Sequence, residues 1–175
     1  SLLWVLDKTK SAMGARTLRR FVEQPLVNPR DINNRLDVIS ELNADIINRE
    51  EIREYLNAVY DLERLITRVS YETANPRDLI ALKNTIKVIP GIKSLIKDYK
   101  SELFRKMYTE LDELNDIYNL IDETIDEDEP PVSVRDGDII KDGYSEEIDM
   151  LRKAKTEGKN WLASLAEKEQ KKTGI

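Results

Sequence analysis

The side chains that most often carry catalysis are missing from this chain. It has no His and no Cys. That removes imidazole bases, thiolate nucleophiles, disulfides, zinc fingers and haem ligation through those residues. The densest ionisable cluster is the acidic run Asp122-Glu123-Thr124-Ile125-Asp126-Glu127-Asp128-Glu129. A Ca²⁺ loop needs oxygens at alternate positions, then a Gly, then a distal Glu. The nearest frame opens at Asp136-Gly137-Asp138, but it puts Ile140 at a ligand position and Lys141 where Gly belongs. The run reads instead as the solvated end of an acidic helix. Acid–base catalysis by paired carboxylates needs a cleft that pushes their pKa values apart. Among 34 acidic residues a pair at suitable spacing arises by chance. No Gly-rich phosphate loop is present: Met13-Gly14-Ala15 holds a single Gly, and Asp142-Gly143-Tyr144 lacks the Lys and Ser/Thr. The chain reads as non-catalytic, with no metal or cofactor site of its own.

Binding chemistry is better represented. Arg16, Arg19 and Arg20 fall within five residues. Their guanidinium groups suit an acidic surface or a phosphate, but the structural reading is favoured: stems over the core, heads paired with nearby carboxylates. Trp4, Phe21 and Trp161 are too few and too scattered to stack single-stranded bases and read as packing anchors. Charge is unevenly spread. Residues 1–30 carry net +4, residues 31–100 net −1, residues 101–151 net −13 and residues 152–175 net +4, for −6 overall. Duplex DNA binding rests on neutralising phosphates, so a chain this acidic in its middle binds DNA weakly by itself. The basic end offers Lys168, Lys171 and Lys172 as the nucleic-acid contacts to expect.

These residues are positioned by helices. At 175 residues the chain has the length of one domain. Its longest apolar runs, such as Leu2 to Leu6, are far short of the ~20 residues that cross a bilayer. Ile32, Leu36, Ile39 and Leu42 fall at steps of three and four, as do Leu62, Leu65, Ile66 and Val69, and Leu79, Leu82, Ile86 and Ile89. The longest stripe runs Phe104, Met107, Leu111, Leu114, Tyr118, Ile121, Ile125. Asn28-Pro29-Arg30-Asp31 recurs as Asn75-Pro76-Arg77-Asp78. Each places an Asn cap, a Pro where its missing N–H is harmless, and an Asp where the helix dipole favours negative charge. Asn48 with Glu51 resembles a capping box. Two short β-branched runs, Val132-Ser133-Val134 and Ile139-Ile140, flank an Asp-Gly and predict a small hairpin over about 132–140. From Ser145 to about Lys172 there is no Pro, which predicts one helix ~42 Å long. Gly158 falls inside it and costs ~1 kcal/mol there, marking a bend.

The opening residues are more specific. Leu2-Leu3-Trp4-Val5-Leu6-Asp7-Lys8-Thr9, then Met13-Gly14-Ala15-Arg16-Thr17-Leu18-Arg19-Arg20-Phe21, then Gln24-Pro25-Leu26, resemble the start of the core (lever) domain of the bacterial MutS mismatch-repair family. The resemblance continues in order through Asp61-Leu62-Glu63-Arg64-Leu65 with Arg68, Pro76-Arg77-Asp78-Leu79, Pro90 and Pro130-Pro131. It goes on through the Gly137 to Tyr144 region and Glu147-Ile148-Asp149 with Leu151-Arg152, to the Thr173-Gly174 tail. Phe21 stands where the family usually has Trp, and Asp138 where it often has a second Gly.

The resemblance implies an all-α fold: a helical core bundle over 1–144 with a hairpin insertion, and one long projecting lever helix over 145–175, cut before a clamp domain. It implies a non-catalytic scaffold that couples mismatch-binding and DNA-clamp domains to an ATPase. ATP, Mg, the mismatched duplex and the homodimer contacts all belong to the longer protein, in the bacterial cytoplasm. Gly14, Arg16, Arg20 and Trp161 are then the expected structural or interdomain residues. The alternatives are a stand-alone helical adaptor that binds proteins through the stripe on 145–172, and a cation-binding module on 122–129.

Overall fold

The computed structural model describes residues 2–128 and 130–173, apart from the side chains of Lys168, Glu169, Lys172 and Thr173. It is helical, and the chain divides into two compact units, one through Ile139 and one from Ile140 onward. In the first unit the helices are α1 (Leu2–Leu6), α2 (Ala12–Glu23), α3 (Pro29–Ala44), α4 (Ile46–Asn57), α5 (Leu62–Ser70), α6 (Pro76–Ile86), α7 (Ile89–Ile96), α8 (Glu102–Glu110) and α9 (Asn115–Thr124). The second unit contains α10 (Glu146–Thr173).

Local chemistry sets most of the helix starts. Asn28 accepts the Arg30 N–H at 3.0 Å, with Pro29 opening α3. Asn75 accepts the Asp78 N–H at 3.0 Å and Asp78 accepts the Asn75 N–H at 3.1 Å, a complete capping box. Ser11 caps α2 by accepting the Gly14 N–H at 3.2 Å. The start of α4 differs from the expected Asn48 box. Asp45 is the cap, accepting the Asn48 N–H at 3.1 Å. The chain entering α8 is held from elsewhere, with no side-chain cap on the helix itself. Glu41 of α3 accepts the N–H groups of Lys100 and Ser101 at 2.6 and 3.1 Å.

Packing is mostly between neighbours in the bundle: α3 against α4 and α8, α4 against α7, α7 against α8, α5 against α6, and α6 against α9. Leu65, Ile86, Ile96, Phe104, Ile121 and Ile125 are its buried apolar residues. Tyr99 stacks on Phe104 with ring centroids 4.6 Å apart. Gly91 of α7 lies so close to Tyr55 of α4 that a Cβ there would sit 2.6 Å from the ring.

Two further sequence expectations are corrected. The stripe from Phe104 to Ile125 is not one helix. Asp112 accepts the Leu114 N–H at 3.0 Å, and Leu114 turns left-handed with φ 52°. This side-chain turn ends one helix and redirects the next, while both keep an apolar face inward. The hairpin over 132–140 is also absent, with no strand among the described residues there. Ser133 and Asp136 cap each other across a single 3₁₀ turn, Val134–Asp136. Gly137 does take the positive φ that the Asp-Gly signal demands. However, Val132 and Val134 remain largely exposed, so no apolar face is buried to drive strand pairing.

In the second unit, the Gly143 N–H donates to Asp149 at 2.9 Å, and Arg152 reaches back to the Ile140 carbonyl at 2.6 Å. The helix α10 runs through Gly158, where a Cβ would meet open space.

Candidate interdomain interface

Arg16 sits one turn into α2, downstream of the Ser11 cap. Its guanidinium spans to the start of α5. There it donates to both Asp61 oxygens at 2.8 and 2.7 Å, and to Glu63 Oε2 at 3.1 and 2.6 Å. Asp61 also caps α5 through the Arg64 N–H at 3.3 Å. The Arg16 hydrogen bonds hold the Asp61 carboxyl below its usual range, and the same bonds from Asp61 and Glu63 raise the Arg16 pKa. Paired, fork-shaped bonding of this kind fixes orientation as well as charge.

A second link follows from the other end of α5. Arg68 Nη1 donates to both Asp78 oxygens, at 2.7 and 2.8 Å. Burial pushes the Asp78 carboxyl up, but Arg68 and the Asn75 N–H outweigh it and the net shift is downward. So α2, α5 and α6 are joined by guanidinium–carboxylate bonds at both ends of α5. The cleft beside them, about 390 Å³, is lined by Asp61, Arg64, Arg68, Arg77 and Asp78 among others.

The other expected residues lie apart from this network. A Cβ on Gly14 would sit 3.2 Å from Ser11 Oγ and 3.4 Å from Thr9 Cβ, so its small size is used for a tight cap. Arg20 is exposed near the end of α2, and Arg19 lies 3.9 Å from Glu23. Arg35 stacks its guanidinium 3.6 Å from the Phe21 ring centre. Trp161 is exposed on α10 with Leu151, Leu162 and Leu165. Lys171 bonds Glu167 one turn earlier at 2.7 Å. The side chains of Lys168 and Lys172 lie outside the described residues.

One buried cation escaped the sequence reading. Lys83 of α6 is only 4% exposed, and its ammonium meets Asp122 at 2.9 Å and also Glu127. The acidic run is therefore not simply solvated: two of its carboxylates pair with the buried Lys83 of α6. The signal available was a Lys between Leu82 and Ile86 on an otherwise apolar helix face. Nothing local reveals its partners.

The family model for MutS domain III matches residues 1–172. The chain belongs to the MutS domain III family. Relatives over its full length include the DNA mismatch repair protein MutS of Lachnoclostridium phytofermentans, 58% identical, and that of Acetivibrio thermocellus, 51% identical. The same-named protein of Clostridium perfringens is 47% identical. The chain spans 19%, 20% and 19% of the lengths of these proteins. In this MutS domain III, the fold brings together five of the residues that carried the resemblance. Arg16 of the Met-Gly-x-Arg block, Asp61, Glu63 and Arg68 of the second block, and Asp78 of the Pro-Arg-Asp block make up the ion-paired joint. No described helix is long and apolar enough to cross a membrane.

Proposed function

We propose that the chain is the scaffold and lever domain of a bacterial, cytoplasmic DNA mismatch-repair ATPase. It couples mismatch-binding and clamp domains to an ATPase domain and performs no catalysis itself. ATP, Mg and the mismatched duplex are bound by other parts of the longer protein, which acts as a homodimer. The observation that carries this reading is α10. A helix of 28 residues reaches ~42 Å at 1.5 Å per residue, and it leaves Met150, Leu151, Trp161 and Leu162 each about 60% exposed. Such a stripe needs an apolar partner, because a lone helix gains most of its stability from packing. Within the first unit, the ion-paired joint ties α2, α5 and α6 together. The exposed stripe also suits a stand-alone adaptor, but a full-length match to one fifth of much longer relatives favours the domain reading.

Coupling here means that DNA binding and ATP turnover bias each other through two states of this element. The test is Gly158→Pro, which breaks α10, in the L. phytofermentans protein carrying this chain as its domain III. Loss of DNA-stimulated ATP turnover with basal turnover retained is the expected result. Unchanged stimulation would overturn the lever reading.

A further inference from the structure

A cation as buried as Lys83 is held only by charged or polar partners, since an unpaired ammonium is strongly disfavoured in an apolar interior. Both partners come from one short stretch. Asp122 lies in the last turn of α9, and Glu127 lies in the non-helical chain just after it. One ammonium therefore holds the helix end and the chain that leaves it. Ile125, between the two, is buried. Near its own start α6 holds the segment again: Arg77 Nε donates to the Pro130 carbonyl at 2.8 Å. A further tie runs from the Asp126 N–H to the Ile139 carbonyl at 2.8 Å.

We infer that α6 clamps the chain between α9 and Ile139, and that Lys83 is a positioning residue for the coupling role proposed above, on which this inference rests. The clamped segment is the covalent path from the helical bundle to α10. A path free to change shape would absorb a displacement, whereas one held at Asp122, Glu127 and Pro130 passes it on. An apolar side chain at position 83 would fill the same space, but it would give the segment no directional hold. The two carboxylates are each about two-fifths exposed, so the ammonium is the buried end of a contact whose other end reaches the surface.

The test combines peptide-resolved hydrogen exchange on this chain with coupling in the longer protein. Lys83→Met keeps the bulk and removes the charge. The expected result is roughly tenfold faster exchange across 125–139, with protection of α3, α4, α7 and α8 unchanged, the pattern of a local opening. Unchanged exchange in a folded Lys83→Met protein would overturn the clamp, as would an equal loss of protection everywhere. If Lys83→Met does not fold, Arg77→Ala, which alters an exposed side chain, must loosen the same segment on its own; no loosening there overturns the clamp as well. In the L. phytofermentans protein carrying this chain, Lys83→Met is expected to reduce DNA stimulation of ATP turnover and to spare basal turnover. If Gly158→Pro uncouples the protein and Lys83→Met does not, the positioning role fails while the lever reading stands. If Gly158→Pro leaves coupling intact, the lever reading fails, and the exchange result still decides the clamp.

Discussion

Arg16 of α2 grips Asp61 at the start of α5 through two parallel N–H···O bonds of 2.8 and 2.7 Å, across 45 residues of sequence. Asp61 also caps α5, so one carboxylate aligns a helix and ties it to another. A guanidinium offers this fork and an ammonium does not.

Arg16→Lys is therefore expected to lower the thermal midpoint of the chain, and Arg16→Ala to lower it further. Differential scanning calorimetry checks the order. A Lys variant that melts with the parent would show that charge alone, without the fork, holds the joint.

Stability should also depend on acid in a defined direction. Hydrogen bonds from Arg16 lower the Asp61 pKa. For Asp78 and Glu41 burial acts upward, but bonds from Arg68 and from Ser101 and Lys100 outweigh it, and both are lowered. A carboxyl with a depressed folded-state pKa stabilises the fold above its unfolded pKa, and that contribution is lost as pH falls through the folded value. With no His in the chain, little should titrate between about pH 5 and 8. Urea midpoints are expected to be flat across that window and to fall steadily below about pH 4. A midpoint that rises on acidification would contradict these pairings.

Gly91→Ala should be destabilising by roughly 1–3 kcal/mol, the usual range for overpacking. The new Cβ would fall 2.6 Å from the Tyr55 ring, which has to move. The penalty should shrink when Tyr55→Leu is already present. Additive effects of the two substitutions would show that the ring is not what the methyl meets.

Gly158→Ala should act in the opposite sense. Its Cβ meets nothing within 4 Å, and a mid-helix Gly costs ~1 kcal/mol relative to Ala. Helical circular dichroism is expected to rise, with slower amide exchange around residue 158. A decrease in helicity would mean that this Gly supports a bend and not a continuous helix.

Much of the fold was written locally. The Asn-Pro caps at Asn28 and Asn75, the apolar steps of three and four, and the Pro-free stretch after Ser145 predict helices that the structure contains. Each signal acts within one or two turns, where backbone N–H groups and nearby side chains decide the outcome without reference to the rest of the chain. The same locality misled at two places. Gly137 takes a positive φ, but a hairpin also needs a surface to bury, and Val132 and Val134 have none. The stripe from Phe104 to Ile125 keeps its apolar face across a break at Leu114, because the bundle asks only that the face point inward. The candidate joint lay further out of reach. Arg16, Asp61, Arg68 and Asp78 were visible as residues, but Lys83 finds Asp122 39 residues away and Arg16 finds Asp61 45 away. Charge attraction in water is too weak and too screened to assign such partners from sequence. Lys83 reaches Asp122 only because α6 packs on α9, Arg16 reaches Asp61 only because the fold sets α2 beside the start of α5, and burial then makes the pairing of Lys83 compulsory.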